Sequence, residues 1–372
     1  MTGLVTSRTS RWGSRDPEAP LIVLFPDGGL PGDAPGKEMA TFARYLPDGA
    51  CYASVRLPAA WPADPAQTLA WFGGWLDEQR PAPVPVVLVG FGSGAAFAGG
   101  QLLADPTRFA AAALLYGALP FDAGLPLTRG RLFGLPVFLA HGIHDMVLPV
   151  ELQRRTWDYL VRESGSPLWA QREPGGHELS AKTVSGLAGW IEARLGFLQQ
   201  STPVGVVPAE QACWPTLPDR RLPPRRGEPP EVSVTTPQQQ QTQNAPPELQ
   251  EALFSRIMQV DGVVTAPSAV SVPGARAFVL ASGVARGPRE AFVVADLGEF
   301  AHLHPEYDGS LHLVLPIALA RDVVVKGWGV AHPLAGLRLS SGMVMIFGPR
   351  DAAELEIVTA IVCTSHAHAV GR

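Results

Sequence analysis

The first half of the chain alternates short continuous apolar runs with amphipathic stretches. The apolar runs predict strands at 21–25, 51–56, 84–89, 111–115, 137–140 and 168–171. Helical spacing lies between them, near 37–46, 66–80, 94–104, 150–164 and 180–195. Buried strands that alternate with helices are typical of a parallel sheet covered on both faces. We therefore predict an α/β domain over residues 17–198, with ligand sites beyond the carboxyl ends of its strands.

The pattern changes twice after residue 198. Residues 199–247 are rich in proline and contain a glutamine run at 238–241. Because proline lacks a backbone donor and favours extended chain, this stretch predicts a disordered linker. Residues 248–372 then predict a separate small α+β domain. Its strands are expected at 277–280, 291–296, 311–315 and 343–347, and its helices at 248–258, 319–326 and 352–365.

Composition narrows the possible partners and the compartment. The chain has 372 residues, 46% of them hydrophobic, and a net charge of −5 without a basic stripe, so nucleic acid is not an expected partner. No apolar run reaches the ~18 residues of a membrane span, and no signal peptide is recognisable. Cys51, Cys213 and Cys363 are too far apart to indicate a disulfide framework or a zinc site. We expect a cytoplasmic, bacterial protein with a small-molecule substrate and no specific protein partner.

The stretch from residue 84 to residue 98 has the context of a nucleophile elbow, a strand-to-helix turn of the form Gly-x-Ser-x-Gly. Here the turn is Gly90-Phe91-Gly92-Ser93-Gly94, so glycine stands at the nucleophile position and a serine follows it. Because one residue is ~100° on a helix, Ser93 is expected to point elsewhere. We expect a domain that no longer hydrolyses esters. The alternative is that hydrolysis persists with Ser93 as the nucleophile.

Two later loops complete the chain order of a hydrolytic triad. Asp145 follows the strand at 137–140, and His177 lies in Pro174-Gly-Gly-His177 after the last strand. A triad uses such a carboxylate to orient the histidine that serves as the base. Asp145 and His177 are therefore the candidate acid and base, or else an inherited hydrogen-bonded pair that joins two loops.

These three motifs resemble the phospholipase/carboxylesterase branch of the α/β-hydrolases. The resemblance covers residues 20–197 and implies an α/β-hydrolase-like, mostly parallel sheet. In that family a His-Gly turn after the first strand supplies part of the oxyanion hole, whereas this chain reads Phe25-Pro26-Asp27-Gly28-Gly29. Gly28 and Gly29 are the expected donors there, and Gly92 would line the ligand site.

The second domain concentrates histidine. Four of the nine histidines of the chain, His302, His304, His312 and His332, lie within one short stretch, together with Lys326 and Trp328. His302 and His304 point the same way if their segment is extended. The four histidines are candidates to converge on one cleft, where Lys326 and Trp328 would contact the substrate.

This stretch resembles the fungal luciferase domain over roughly residues 290–368. The matching motifs are Ala301-His302-x-His304, 311–313, 326–329, 332–336 and Pro349-Arg350. The resemblance implies an oxygenase of hydroxylated styryl-pyrones that uses molecular oxygen and neither a flavin nor a metal. A histidine base would remove an enol or phenol proton, because the pKa of histidine lies near neutrality.

Three hypotheses follow from the sequence. The first is a cofactor-independent oxygenase with a degenerate hydrolase-like domain. The second is a carboxylesterase or lactonase with a C-terminal ligand-binding module, and the third is a ligand sensor without enzymatic activity. Two histidines with Glu306 or Asp308 could also form an iron site, although the spacing matches no standard metal motif.

Overall fold

Residues 9–27, 45–58, 61, 63–79, 84–200 and 212–372 are described by the structure, which is a computed structural model. The chain divides into two compact units, Met1–Pro203 (the N-terminal unit) and Val204–Arg372 (the C-terminal unit). Each unit has its own sheet and its own buried core.

A seven-stranded sheet forms the centre of the N-terminal unit in its described part. Its spatial order is β1-β3-β2-β4-β5-β6-β7, and all neighbours are parallel except β1 and β3. Every residue of β2, β4, β5 and β6 is buried, which explains why these strands read as continuous apolar runs. The strands are β1 Thr9–Gly13, β2 Leu21–Phe25, β3 Cys51–Val55, β4 Val86–Phe91, β5 Ala111–Leu115, β6 Val137–Gly142 and β7 Leu168–Glu173.

The described helices of this unit connect the parallel strands. They are α1 Pro65–Gln79, α2 Ser93–Ala104, α3 Val150–Arg162 and α4 Ala181–Gln200. α1 begins where its sequence predicts, because Pro65 needs no donor in the first turn and Asp64 Oδ1 accepts from the Gln67 N–H at 3.0 Å. The predicted α/β fold with a mostly parallel sheet is confirmed. The predicted helix at 37–46 lies mostly outside the described residues.

The C-terminal unit contains a six-stranded, fully antiparallel sheet of order β12-β13-β11-β10-β9-β8. The strands are β8 Val263–Pro267, β9 Arg276–Leu280, β10 Glu299–Leu303, β11 Leu311–Val314, β12 Gly329–Ala331 and β13 Met343–Ile346. The described helices are α5 Pro247–Ile257, α6 Ile317–Val325 and α7 Ala352–Ala369. Among the helices of the described ranges, none combines the length and the apolar character that crossing a bilayer requires.

The predicted strand at 291–296 is wrong. This stretch forms two 3₁₀ turns, Arg289–Ala291 and Ala295–Leu297, and the second ends at Gly298 in the left-handed conformation, with φ at 73°. Glycine adopts that conformation without steric cost, so the chain can reverse there into β10. The sequence did not reveal β10. Every residue of this strand is buried, so apolar and polar residues do not alternate along it.

The prediction of a disordered linker is wrong for residues 212–247 (the anchoring segment), which pack against the rest of the C-terminal unit. Trp214 is fully buried and its indole N–H donates to Asp322 Oδ2 at 2.8 Å. Thr216 Oγ donates to the Ala360 carbonyl at 2.9 Å. Proline lowers the number of backbone donors, but side chains supply the hydrogen bonds instead. Residues 201–211 lie outside the described residues.

Candidate functional sites

The turn between β4 and α2 has the strained geometry of a nucleophile elbow. Gly92 occupies its apex with φ 56° and ψ −119°. A Cβ on Gly94 would lie 2.1 Å from the Phe25 carbonyl oxygen, so only glycine lets α2 approach β2 this closely. The scaffold that presents a nucleophile is therefore intact, although the side chain at its apex is missing.

The Asp27 carboxylate lies where a serine side chain at position 92 would begin. A Cβ on Gly92 would be 2.6 Å from Asp27 Cγ and 2.8 Å from each carboxylate oxygen. Asp27 Oδ1 accepts hydrogen bonds from the Ser93 N–H at 3.0 Å and from the Ser93 hydroxyl at 2.7 Å. In an active elbow the N–H of this following residue serves the oxyanion, so here a carboxylate uses that donor.

Asp145 and His177 are brought together as predicted. His177 Nδ1 donates to Asp145 Oδ2 at 2.8 Å, and the Asp145 side chain is fully buried. Burial alone would raise the pKa of Asp145, but hydrogen bonds from the Leu148 N–H, from His177 and from the Val147 N–H lower it below its usual value. The pair has the orientation that a triad requires.

The second ring nitrogen of His177 faces the displaced carboxylate. His177 Nε2 is buried, has no hydrogen-bond partner among the described residues, and lies 3.8 Å from Asp27 Oδ2. The hydroxyl of Ser93 donates to Asp27 Oδ1. The role of Ser93 as a nucleophile stays a prediction. Gly28 and Gly29, the predicted oxyanion donors, lie outside the described residues.

In the C-terminal unit, the structure brings together all four predicted histidines, His302, His304, His312 and His332 (the histidine cluster). His302 on β10 pairs directly with His312 on β11 in the antiparallel register. The ring centroid of His312 lies 5.2 Å from that of His302, 4.7 Å from that of His304 and 4.9 Å from that of His332. All four side chains are buried.

Two of the histidines are each oriented by a hydrogen bond to a buried carboxylate. His302 Nδ1 donates to Glu299 Oε1 at 2.8 Å, and His304 Nδ1 donates to Asp308 Oδ2 at 2.7 Å. The Ser310 hydroxyl donates to the other oxygen of Asp308 at 2.6 Å. Because the carboxylates accept at Nδ1, each ring keeps its Nε2 lone pair available.

Gln238 of the anchoring segment fixes the ring of His312. The amide nitrogen of Gln238 donates to the Ala331 carbonyl at 3.3 Å, which turns Oε1 towards His312 Nε2 at 3.2 Å. His312 Nε2 therefore carries the proton, and Nδ1 keeps the lone pair. His332 has the same tautomer as His312, because its Nδ1 accepts from the Leu334 N–H at 3.1 Å.

Burial keeps three rings of the histidine cluster neutral, those of His302, His312 and His332. Burial and the neighbouring imidazoles together lower the pKa of His332 to about 3 and the pKa of His312 well below its usual value. Burial also lowers the pKa of His302, although the Glu299 carboxylate partly offsets this effect. At neutral pH these rings are thus available as acceptors of a proton or as ligands of a cation.

Lys326 and Trp328 belong to the contacts that hold the anchoring segment. Lys326 Nζ donates to Asp322 Oδ2 at 3.1 Å, the oxygen that also accepts from Trp214. The Trp328 indole N–H donates to the Pro223 carbonyl at 2.6 Å. Their predicted contact with substrate stays a prediction.

Sequence reasoning missed three residues that shape these sites, namely Asp27, Glu299 and Gln238. Glu299 is three residues before His302, a spacing that by itself has no special meaning in a strand. Gln238 lies in the glutamine run that predicted disorder. A signal was available only for Asp27, since it follows β2 at the edge of the sheet where α/β folds place ligands.

The histidine cluster lies in a part of the chain that is similar to known proteins. Residues 297–365 match the family model described as "Luciferase domain". The luciferase of Armillaria ostoyae is 40% identical over 67 residues, which are 17% of this chain and 25% of that protein. The luciferase of Armillaria gallica is 30% identical over 170 residues, 41% of this chain. The chain therefore spans a quarter to 64% of these relatives' own length.

Solved structures similar to the N-terminal half include a carboxylesterase and an acyl-protein thioesterase. The Bacillus cereus carboxylesterase is 20% identical, with a TM-score of 0.41, and the match covers 50% of this chain and 94% of that one. The acyl-protein thioesterase 2 of Zea mays is 18% identical, with a TM-score of 0.40, and the match covers 50% of this chain and 98% of that one. Both resemblances predicted from the sequence are confirmed.

Proposed function

We propose that the histidine cluster binds a small aromatic or enolic molecule and supports its reaction with molecular oxygen without a flavin. One observation carries this proposal: four buried histidines of residues 302–332 meet at one place, inside the segment that matches the luciferase domain. Burying imidazoles costs free energy unless they are hydrogen-bonded, and three of these rings are oriented by hydrogen bonds to Glu299, Asp308 and Gln238.

The chemistry follows from the two histidine–carboxylate pairs. Loss of the enol or phenol proton makes an electron-rich anion, which can pass one electron to dioxygen and then recombine with it to form a peroxide. The carboxylates of Glu299 and Asp308 would stabilise the positive charge that develops on His302 or His304 when the proton is taken up. These two residues are therefore better placed for this role than His332.

The N-terminal unit is proposed to be a degenerate hydrolase. It keeps the Asp145–His177 pair but has Gly92 at the nucleophile position. The Asp27 carboxylate also opposes hydrolysis, because a fixed negative charge at the Ser93 N–H disfavours an oxyanion at the same place. We also propose a reducing compartment such as the cytoplasm, since Cys51, Cys213 and Cys363 are all free.

Oxygen consumption by the purified full-length protein tests the proposal. The substrate is a hydroxylated styryl-pyrone, supplied without flavin, and the rate is recorded with an oxygen electrode. We expect uptake that depends on both protein and substrate. His304→Gln should lower the rate by about 10²-fold or more, the usual loss when a general base is removed. His144→Gln, at an exposed histidine of the N-terminal unit, is the matched control and should keep the full rate.

Three results would overturn the proposal. Oxygen uptake at the rate of buffer alone excludes oxygenation of this substrate class. Binding of the pyrone without oxygen consumption indicates a ligand sensor. Turnover of p-nitrophenyl esters that is abolished by His177→Ala indicates a hydrolase.

A further inference from the structure

Three nitrogen atoms of the histidine cluster converge. His302, His304 and His312 each offer one ring nitrogen, and these atoms all lie within 4.8 Å of one another. Two of the rings come from directly paired positions on β10 and β11, and the third lies just past the end of β10. The backbone of the sheet therefore sets the spacing of the three rings.

The hydrogen bond that each ring donates determines which of its two nitrogens keeps a free lone pair. Glu299, Asp308 and the Gln238 carbonyl oxygen accept from His302 Nδ1, His304 Nδ1 and His312 Nε2. Histidines that bind metals almost always donate their other N–H to a carboxylate or carbonyl in this way. The three remaining lone pairs belong to His302 Nε2, His304 Nε2 and His312 Nδ1.

Two of these lone pairs face each other without a proton between them. His302 Nε2 lies 3.2 Å from His312 Nδ1, and both rings already carry their proton on the opposite nitrogen. Such a contact is repulsive in a buried site unless a cation lies between the atoms. Two nitrogen ligands about 2.0–2.1 Å from a tetrahedral ion are about 3.3 Å apart, which is close to the observed distance.

The charges around the three rings favour a bound cation. The rings of His302 and His312 are buried. The side chains of Glu299 and Asp308 are 1% exposed, so their two carboxylates carry buried negative charge next to the rings. A divalent cation among the three nitrogens balances that charge.

We propose that His302, His304 and His312 bind one divalent transition-metal ion, with a further coordination position open to a ligand. Three neutral imidazoles suit zinc, iron, copper or nickel and not magnesium or calcium, which prefer oxygen. His332 is not a ligand in this arrangement, because its Nδ1 accepts a backbone hydrogen bond. This site replaces the iron site of two histidines and one carboxylate. Asp308 accepts a hydrogen bond from His304 Nδ1 on the side away from the other rings, and Glu306 is exposed.

The metal site deepens the proposed function but does not depend on it for its own test. With the ion bound, Nε2 of His302 and Nε2 of His304 are its ligands, so the ion takes over the role proposed for a histidine base. Its open position would bind the enol or phenol oxygen of the substrate and lower the pKa of that group, so that the anion forms at neutral pH and the proton passes to water. The geometry that carries the metal site involves only residues of this chain.

Cobalt(II) is the probe for this site. Full-length protein without an affinity tag is stripped with a chelator and titrated with cobalt(II), and the visible d–d absorption is recorded. We expect one cobalt(II) per chain with the intense bands of four- or five-coordination, and displacement of cobalt(II) by zinc(II). Metal analysis of the protein as purified gives an independent stoichiometry.

Variants assign the ligands. His312→Ala and His302→Ala should each abolish the cobalt(II) bands. Asp308→Asn, which keeps the size of the side chain, should weaken binding by about 10–100-fold through the orientation of His304. His144→Ala, at an exposed histidine outside the cluster, should change nothing. Circular dichroism of each variant identifies any that fails to fold, in which case Asp308→Asn and the wild-type titration decide.

The proposal is overturned if the wild-type chain binds no cobalt(II), if the bands are the weak ones of an octahedral aquo ion, or if His144→Ala abolishes them. The outcome is separable from that of the proposed function. Oxygen uptake by a chain that binds no cobalt(II) would overturn the metal site alone, whereas a bound metal without oxygen uptake would overturn the oxygenase alone.

Discussion

At the apex of the elbow, a single residue position changes what the N-terminal unit can do. Gly92 leaves space that the Asp27 carboxylate takes, so the missing serine is not the only obstacle to hydrolysis. We expect Gly92→Ser alone to give no p-nitrophenyl esterase activity, because the new Cβ would overlap Asp27. Gly92→Ser combined with Asp27→Ala should be at least about 10²-fold more active, since it also frees the Ser93 N–H for the oxyanion.

A third variant is the control for this comparison. Adding His177→Ala to the double variant should remove the gained activity if the restored serine uses that histidine as its base. Equal activity of Gly92→Ser with and without Asp27→Ala would show that the carboxylate does not block the site.

The Asp145–His177 pair gives a pH-dependent contribution to stability. The pKa of Asp145 in the folded protein lies below its usual value, so its ionised form stabilises the fold at pH above that usual value. This contribution is lost as the pH falls through the folded pKa. The unfolding temperature of Asp145→Asn should therefore be lower than that of the wild type at pH 7, and the difference should shrink towards pH 3. A difference that is constant over this range would contradict the assignment.

The sequence predicted some of the side chains at these sites and missed others, and the reasons are physical. His302 and His304 share a direction because side chains alternate along a strand, and the loops of Asp145 and His177 meet because parallel strands end at one edge. The place of Asp27 at the edge of the sheet could be predicted, but its contacts with Ser93, sixty-six residues further along the chain, could not. Neither could the partners of the histidine cluster, since Gln238 comes from a segment without periodicity.

Among the larger elements, the anchoring segment differs most from its prediction. Its composition is that of a linker, yet Trp214, Leu217 and Leu222 are buried at separate points along it. Widely spaced apolar residues have no period that a sequence pattern can reveal. The partners of the segment, such as Asp322 on α6 and Ala360 on α7, lie more than a hundred residues away in the sequence. The length of an irregular segment is therefore a poor guide to its order when it contains isolated large apolar side chains.

Trp214 is expected to hold this segment in place. Trp214→Ala should lower the stability of the C-terminal unit by about 3–5 kcal/mol, because it leaves a cavity of aromatic size. Trp214→Phe keeps most of the volume but removes the donor to Asp322, at a cost of about 1–3 kcal/mol. Urea unfolding measures both changes.

Limited proteolysis gives a second reading of the same prediction. Trypsin should cut slowly after Arg225, whose side chain is 2% exposed and pairs with Glu354, and quickly in Trp214→Ala. Rapid cleavage of the wild type at this bond would show that the segment is not packed in solution.

For the whole molecule, two separate buried cores predict two thermal transitions, of which only one should respond to metal. Saturating a site at about 100 times its dissociation constant adds about 2.7 kcal/mol, which raises the midpoint for a unit of this size by about 5–10 °C. Two fully buried phenylalanines assign the transitions, because Phe138→Ala weakens the N-terminal core and Phe278→Ala weakens the C-terminal core. Calorimetry before and after treatment with a chelator should therefore move the Phe278-sensitive transition and leave the Phe138-sensitive one in place. If both transitions move together, or if one transition responds to both substitutions, the units do not unfold independently and the metal effect cannot be confined to the histidine cluster.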